Sequence, residues 1–329
     1  MSDLPIITTS ERSLYRKCPQ AWFWKYRMGL TERGSIPDAL WFGIGIHEAL
    51  AEWYLKGTER GPHPADTFEA WCGDEERSIV AAYPDHERGE EEQAKFEDAR
   101  ELGISMLTGY VEEYGEDEAW DVIYIETPFK VRIFQGDNPV AYFWSTLDGV
   151  YRDLLDGQVY LMEHKTAAQI SLAYLSLDDQ AGSYWAVATN ILRARGVLGP
   201  KEEIAGICYN FLRKSSKDER PQNEVGAYLN KDGSVSKRQP PARFVREIVE
   251  RTPGERRTQL TRLANEVQIM QAIRRGDIPL VKNTSKDCTF CQFFDMCELH
   301  EKGNDNWKGI ADSLFVRDDP YARYRKSAG

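Results

Sequence analysis

Three runs rich in β-branched and aromatic residues follow one another closely in the middle of the chain: Val122 to Phe134, Ala141 to Asp153 and Gln158 to Lys165. They read as three strands, the last two joined by a hairpin at Asp156-Gly157. Ser171 to Ala194 then reads as a helix and Glu203 to Leu212 as a fourth strand. Glu224 to Leu229 and Phe244 to Glu250 add a hairpin or edge strands, and Pro253 opens a long helix to about Arg275. Upstream, Thr9-Ser10 before Glu11 and Arg12 has the form of an N-cap for a short helix carrying Cys18. From Asp38 to Lys56 the spacing is helical, with Leu40, Ile44, Ala51 and Tyr54 on one stripe. Helices and strands both occur, so the chain mixes α and β elements.

Charge is distributed unevenly. The 329 residues carry a formal net charge of -11, which argues against a simple nucleic-acid coat protein. Between Gly61 and Asp121, however, stand 19 acidic and 4 basic side chains, so this stretch supplies the whole negative excess. Phe96, Ile104, Leu107 and Tyr110 recur there at helical spacing. The stretch is either a helical insertion with a solvated acidic face or a surface that turns a polyanion away. No apolar run approaches membrane-spanning length, and Met-Ser-Asp-Leu-Pro lacks the layout of a secretory signal. The expected setting is cytoplasmic, with no membrane partner and with six cysteines reduced or bound to metal.

A two-residue turn at Asp156-Gly157 would set Asp148 opposite Lys165, with Glu163 two residues away. All three side chains would then leave one face of the sheet. Two carboxylates and an ammonium can form a plain cross-strand ion-pair cluster. They can equally converge on Mg²⁺ or Mn²⁺, with the lysine orienting water and offsetting developing negative charge. His47 lies on the apolar stripe of its helix, where a core histidine and a metal ligand are both reasonable readings. Gly43 and Gly45, just before it, allow close approach by a strand or a ligand.

Taken in order, His47, Asp148, Glu163-His164-Lys165 and Gln180-Ala-Gly-Ser-Tyr184 resemble the PD-(D/E)XK nucleases of the RecB-like branch. The resemblance implies an α/β fold with a mixed central β-sheet flanked by helices. It implies that His47, Asp148, Glu163 and the backbone carbonyl of His164 bind one or two divalent ions and that Lys165 is catalytic. It also implies that Gln180 and Tyr184, i and i+4 on the following helix, face the site and the DNA. Leu147 stands before the first acid where the family name has proline.

Cys288-x2-Cys291-x5-Cys297 places three thiolates within ten residues, and Cys18 is the natural fourth. Four thiolates suit zinc as well as iron. An early Cys18-Pro19 with three late cysteines resembles the iron–sulphur staple of single-domain CRISPR-associated exonucleases and of the AddB nuclease domain. That likeness implies a 4Fe–4S cluster joining the N- and C-terminal segments. Cys72 and Cys208 read as ordinary thiols, Cys208 buried in a strand.

The expected organisation is one nuclease domain over residues 1–302, followed by a loosely attached tail, 303–329. Within the domain, 1–37 carries the first cysteine, 38–60 and 122–250 the catalytic core, 61–121 the acidic helical insertion, and 251–302 the last helix and cysteines. The expected function is a metal-dependent exonuclease acting on single-stranded DNA ends in recombination, repair or CRISPR-like processing. The rival reading is a catalytically weak iron–sulphur DNA-binding or adaptor module. No Walker motif occurs, so a helicase or integrase would be a separate partner. Candidate backbone contacts are Arg12, Arg16, Lys17, Arg213, Lys214, Lys217, Arg274 and Arg275. The aromatic run Trp22, Phe23, Trp24 and Tyr26 could stack bases or pack in a core.

Overall fold

A computed structural model describes residues 4–32, 39–82 and 90–322. The expected helix start at Asp38, residues 83–89 of the acidic stretch and the tail from residue 323 lie outside the described residues. The chain runs β1 (Ile6–Ile7), α1 (Thr9–Lys17), α2 (Pro19–Trp22), β2 (Leu30–Glu32), α3 (Ala39–Trp53), α4 (Pro64–Ala82) and α5 (Glu90–Tyr114). It continues with β3 (Trp120–Gln135), β4 (Asn138–Asp153), β5 (Val159–Ala167), α6 (Asp179–Ala194), β6 (Ile204–Arg213) and β7 (Phe244–Glu250). It ends with α7 (Pro253–Arg275), α8 (Phe294–Glu301), α9 (Trp307–Leu314) and β8 (Phe315–Arg317).

Six strands form a mixed sheet. β4 is shared by three partners: β3 pairs antiparallel along one edge, while β1 and β5 share the other. β5 and β6 run parallel, and β7 closes the far edge antiparallel to β6. Alternation along β5 and β6 divides their side chains between two layers. Leu161, Ile207 and Tyr209 face a layer built with Trp185, Leu192, Leu263 and Val267 of α6 and α7. Met162, Cys208 and Leu212 face another, built with Ile46, Leu50, Phe68 and Leu107 of α3, α4 and α5. Each fully buried Leu or Ile of this kind contributes about 1.5–3 kcal/mol relative to exposure. The fold is α/β with a mixed central sheet flanked by helices, as the resemblance implies.

The acidic stretch is helical and belongs to the second layer. Phe68 and Cys72 of α4 and Met106, Leu107 and Tyr110 of α5 are fully buried, whereas Glu69, Glu101, Glu112 and Glu113 are exposed. Close packing here explains one of the two α3 glycines. A Cβ at Gly45 would lie 2.5 Å from the Trp71 ring, but one at Gly43 would meet only Thr166 Oγ1 at 3.8 Å.

Five local expectations are corrected. The turn after β4 is a four-residue loop, Leu154 to Gly157, closed by Asp153 N–H donating to Gln158 O at 2.9 Å, with Gly157 at φ 74°. The ladder pairs Arg152 with Val159 and Tyr151 with Tyr160, ending at Gly149–Met162, so Asp148 falls across from Glu163 and not from Lys165. The helix expected from Ser171 begins only at Asp179, because Asp178 is extended (ψ 110°) and caps it through the Gln180 N–H. Glu224 to Leu229 forms no strand among the described residues, only single bridges from Gln222 to Tyr228 and from Leu229 to Val235. The described part of the tail is docked: β8 pairs antiparallel with β2, and Phe315 packs with Trp24, Leu30, Phe293 and Met296 in a third core.

Candidate active site

Glu163 and Lys165 alternate with His164 on β5 and project together from the face toward α6. Lys165 Nζ lies 3.0 Å from Glu163 Oε1 and 3.4 Å from Asp178 Oδ2. Burial pushes the Glu163 carboxyl up to about 7; the Asp148 and Asp178 charges add to the rise and Lys165 opposes it. Burial alone would lower the lysine, but Glu163 and Asp178 hold it above the usual lysine range, as an ammonium.

Asp148 stands where β4 changes its facing. Phe143, Leu147 and Val150 turn to the α6–α7 layer and Tyr151 to the other, so alternation breaks between Leu147 and Val150. Asp148 therefore does not share one regular face with Glu163 and Lys165, as the simple hairpin would require. Its Oδ1 is 3.1 Å from His47 Nδ1, and its Oδ2 accepts from the His164 backbone N–H at 2.7 Å. Burial raises this carboxyl, but the His47 imidazole and the His164 N–H outweigh it, leaving the pKa below the usual aspartate value. α3 thus delivers His47 to the sheet through Asp148.

His164 points its ring into the opposite layer. Asn210 Nδ2 lies 2.9 Å from His164 Nδ1, and burial lowers the imidazole pKa to about 3, so the ring is neutral and Nδ1 accepts. Asn210 Nδ2 also donates to Tyr110 Oη at 2.6 Å. Tyr54 Oη donates to Asp117 Oδ2 at 2.6 Å, and Arg246 Nη2 donates to the same oxygen at 2.7 Å. A buried polar chain thus braces His164 from behind, and Asp117 of the acidic stretch anchors it. Because a strand residue's N–H and C=O project to the same side, the His164 carbonyl faces the Asp148 edge, beyond the end of the β4–β5 ladder.

Gln180 and Tyr184 sit one turn apart on α6, with Gln180 Nε2 3.5 Å from Tyr184 Oη. Gln180 is exposed; Tyr184 is buried, and its phenol is pushed up to about 12 by burial and by the nearby Glu163 charge. His47, Asp148, His164, Glu163 and Lys165 form one contiguous group with this end of α6. Asp178 joins them without having been singled out from sequence. It fell inside the helix expected from Ser171, and the contact with Lys165 arises only from the fold. The donors are engaged with one another, and among the described residues no group of three or more His, Cys, Asp or Glu side chains is set to hold a metal ion.

Cys18, Cys288, Cys291 and Cys297 line a second location, a cavity of about 590 Å³ between the first helices and α8, together with Leu14, Lys17 and Lys282. All four are free thiols of intermediate exposure. Burial raises the Cys291 and Cys297 thiols, and the Cys18 thiol adds to each rise. Cys72 and Cys208 are buried elsewhere, and burial pushes the Cys72 thiol up to about 12.

Two expected DNA contacts, Arg12 and Arg274, are taken up by interior ion pairs, while others make pairs at the surface. Arg12 is fully buried, donating Nε to Glu266 at 2.8 Å and Nη1 to Ser183 Oγ at 2.7 Å, with Nη2 2.9 Å from Asp179. Arg274 pairs with the buried Glu11, and its guanidinium lies over the Trp22 ring. Arg213 donates to the Ala242 and Ala168 carbonyls. Arg16, Lys217 and Arg275 pair with Asp179, Glu112 and Asp277. Trp22 and Trp24 are buried in cores and do not present rings to bases.

The family model of the PD-(D/E)XK nuclease superfamily matches residues 7–298. Among solved structures, a candidate exonuclease from Eubacterium rectale is similar at 12% identity, over 87% of each chain, with a TM-score of 0.43. No curated protein sequence matches. The model match spans both the carboxylate–lysine site and the cysteine cavity, and the chain belongs to the PD-(D/E)XK nuclease superfamily.

Proposed function

We propose that the protein is a divalent-metal-dependent deoxyribonuclease, an exonuclease acting on single-stranded DNA ends. The observation that carries this reading is the half-buried ammonium of Lys165 against the buried Glu163, with the His47–Asp148 pair beside it. Exonuclease mode and strand preference rest on the resemblance to RecB-like nucleases.

Two carboxylates and a strand carbonyl are hard oxygen donors that suit Mg²⁺ or Mn²⁺, and the softer imidazole favours Mn²⁺ among these. His47, Asp148, Glu163 and the His164 carbonyl would hold the ion. A divalent ion supplies Lewis acidity at such a site, making water easier to deprotonate and offsetting phosphate charge. Lys165 hydrogen-bonds the attacking water and a non-bridging oxygen, and its fixed positive charge meets the charge that develops on phosphorus's oxygens. Gln180, exposed at the start of α6, contacts the strand, and the buried Tyr184 supports the Glu163 side of the site. The reaction adds water across one P–O bond: water oxygen bonds phosphorus, and the sugar oxygen departs and gains a proton.

The four cysteines would hold a 4Fe–4S cluster. The four cysteines line one cavity, thiolates are the donor set that iron–sulphur clusters and zinc both take, and the resemblance favours iron. A separate helicase or integrase would supply strand opening or integration. End-labelled single-stranded, double-stranded and closed circular DNA, digested with and without Mn²⁺, tests the reading. Wild type should shorten single strands from an end, and Glu163→Ala or Lys165→Ala should lower the rate at least about 100-fold with the fold intact. Failure to degrade any DNA form with any divalent metal would refute it.

A further inference from the structure

Asp178 is a carboxylate whose two oxygens have different surroundings. Oδ1 accepts from the Gln180 N–H at 3.0 Å, the ordinary bond of a helix N-cap. Oδ2 is buried, makes no hydrogen bond, and lies 3.4 Å from Lys165 Nζ. Capping explains the first oxygen only; Asn or Ser would cap α6 equally well and leave no charge in the interior. A buried charged oxygen without a hydrogen bond is costly unless a counter-charge faces it. Here that counter-charge is the lysine of the proposed active site.

Lys165 is thus held from two elements, by Glu163 from its own strand at 3.0 Å and by Asp178 from the start of α6 at 3.4 Å. Under the reading given above, on which this inference rests, Glu163 also holds a divalent ion, and a carboxylate turned to an ion gives up part of its hold on the lysine. An ammonium on a flexible four-carbon stem has no directional preference of its own. We propose that Asp178 is a positioning residue for Lys165: it fixes the ammonium at the scissile phosphate while Glu163 is engaged elsewhere. α6 thereby carries, within one turn, the lysine's second anchor and Gln180.

Capping and positioning separate by substitution. Asp178→Asn keeps the cap and removes the charge; Asp178→Glu keeps the charge and weakens the cap; Asp178→Ala removes both. The measurements are kcat and KM on single-stranded DNA with Mn²⁺, DNA affinity with Ca²⁺ in its place, and the melting temperature. Asp178→Asn should lose about 10- to 100-fold in kcat, the cost of a catalytic group displaced by about 1 Å. Its KM, Ca²⁺-supported DNA affinity and melting temperature should match wild type. Asp178→Glu should turn over faster than Asp178→Asn although it melts lower. The proposal is overturned if Asp178→Asn keeps kcat within about twofold of wild type, or if kcat simply follows melting temperature across the three variants. An inactive Lys165→Ala beside a fully active Asp178→Asn would remove only the role of Asp178. Equal turnover by Lys165→Ala and wild type would remove the active-site reading itself.

Discussion

Replacing Arg12 by alanine should destabilise the protein by about 3 kcal/mol, and the structure sets both the size and the pH dependence of that loss. The guanidinium is fully buried and ties α1 to α6 through Asp179 and Ser183 and to α7 through Glu266. Removing one partner of a buried ion pair costs about 3–5 kcal/mol, because the stranded charge keeps its desolvation penalty. Arg16 tempers the cost, since its Nη1 lies 2.8 Å from Asp179 and 3.8 Å from Glu266 and stays in place. The lower end of the range is therefore expected. Burial raises the Asp179 carboxyl, but Arg12 and its other donors hold it below the ordinary aspartate value. Its stabilisation is full above the unfolded value of about 3.9 and is lost as pH falls through the lower folded value. Arg12→Ala should accordingly flatten the acid limb of stability below about pH 4 as well as lower the plateau. Urea unfolding of both proteins between pH 3 and 8 measures the two effects. A loss under about 1 kcal/mol at pH 7 would refute the buried-brace reading. So would normal stability accompanied by weakened DNA binding, the outcome expected of an exposed phosphate contact.

The two α3 glycines should respond in opposite directions to alanine. Gly45→Ala drives a methyl to 2.5 Å from Trp71 and should cost about 1–3 kcal/mol in denaturant unfolding. Gly43→Ala meets open space apart from Thr166 and should stabilise by about 0.5–1 kcal/mol through helix propensity; a loss there would contradict the packing described. Protein purified aerobically should be brown and contain iron and acid-labile sulphide; stoichiometric zinc without iron would sink the cluster assignment. Cys18→Ser should then lower stability by a few kcal/mol, on the order of a long-range cross-link, and lower DNA cleavage only where the fold has loosened.

Much of this architecture was legible because its signals are local. The central strands show in β-branched and aromatic runs, and α7 begins at Pro253, where Thr252 and Glu255 form a capping box, and stops at Gly276. The hairpin misled because Asp156-Gly157 has the composition of a two-residue turn, while the exposed Leu154 and Leu155 before it look like strand and are loop. The shift moved Asp148 from Lys165 to Glu163. Arg12 looked like a surface cation because its partners, Asp179 and Glu266, lie 167 and 254 residues away and nothing local announces them. Asp178 fell inside the helix expected from Ser171, and neither its cap nor its place beside Lys165 was read, since only the fold brings α6 back against β5. The candidate site residues came from the family resemblance; the pairings around them were not legible in the sequence.

The small sheet of β2 and β8 has a consequence in time. Leu30 pairs with Arg317, so β2 waits for a strand made 317 - 30 = 287 residues later. At about 5–20 residues per second that interval is on the order of 15–60 s, long enough for the central sheet to form first. The late partner also brings Phe315 onto Trp24, Leu30, Phe293 and Met296, the core against which Cys18, Cys291 and Cys297 are packed. The wall behind the cysteine cavity is therefore completed only when the chain's last described strand arrives. Any inorganic group that entered that cavity before β8 docked would meet a wall whose supporting core is still incomplete.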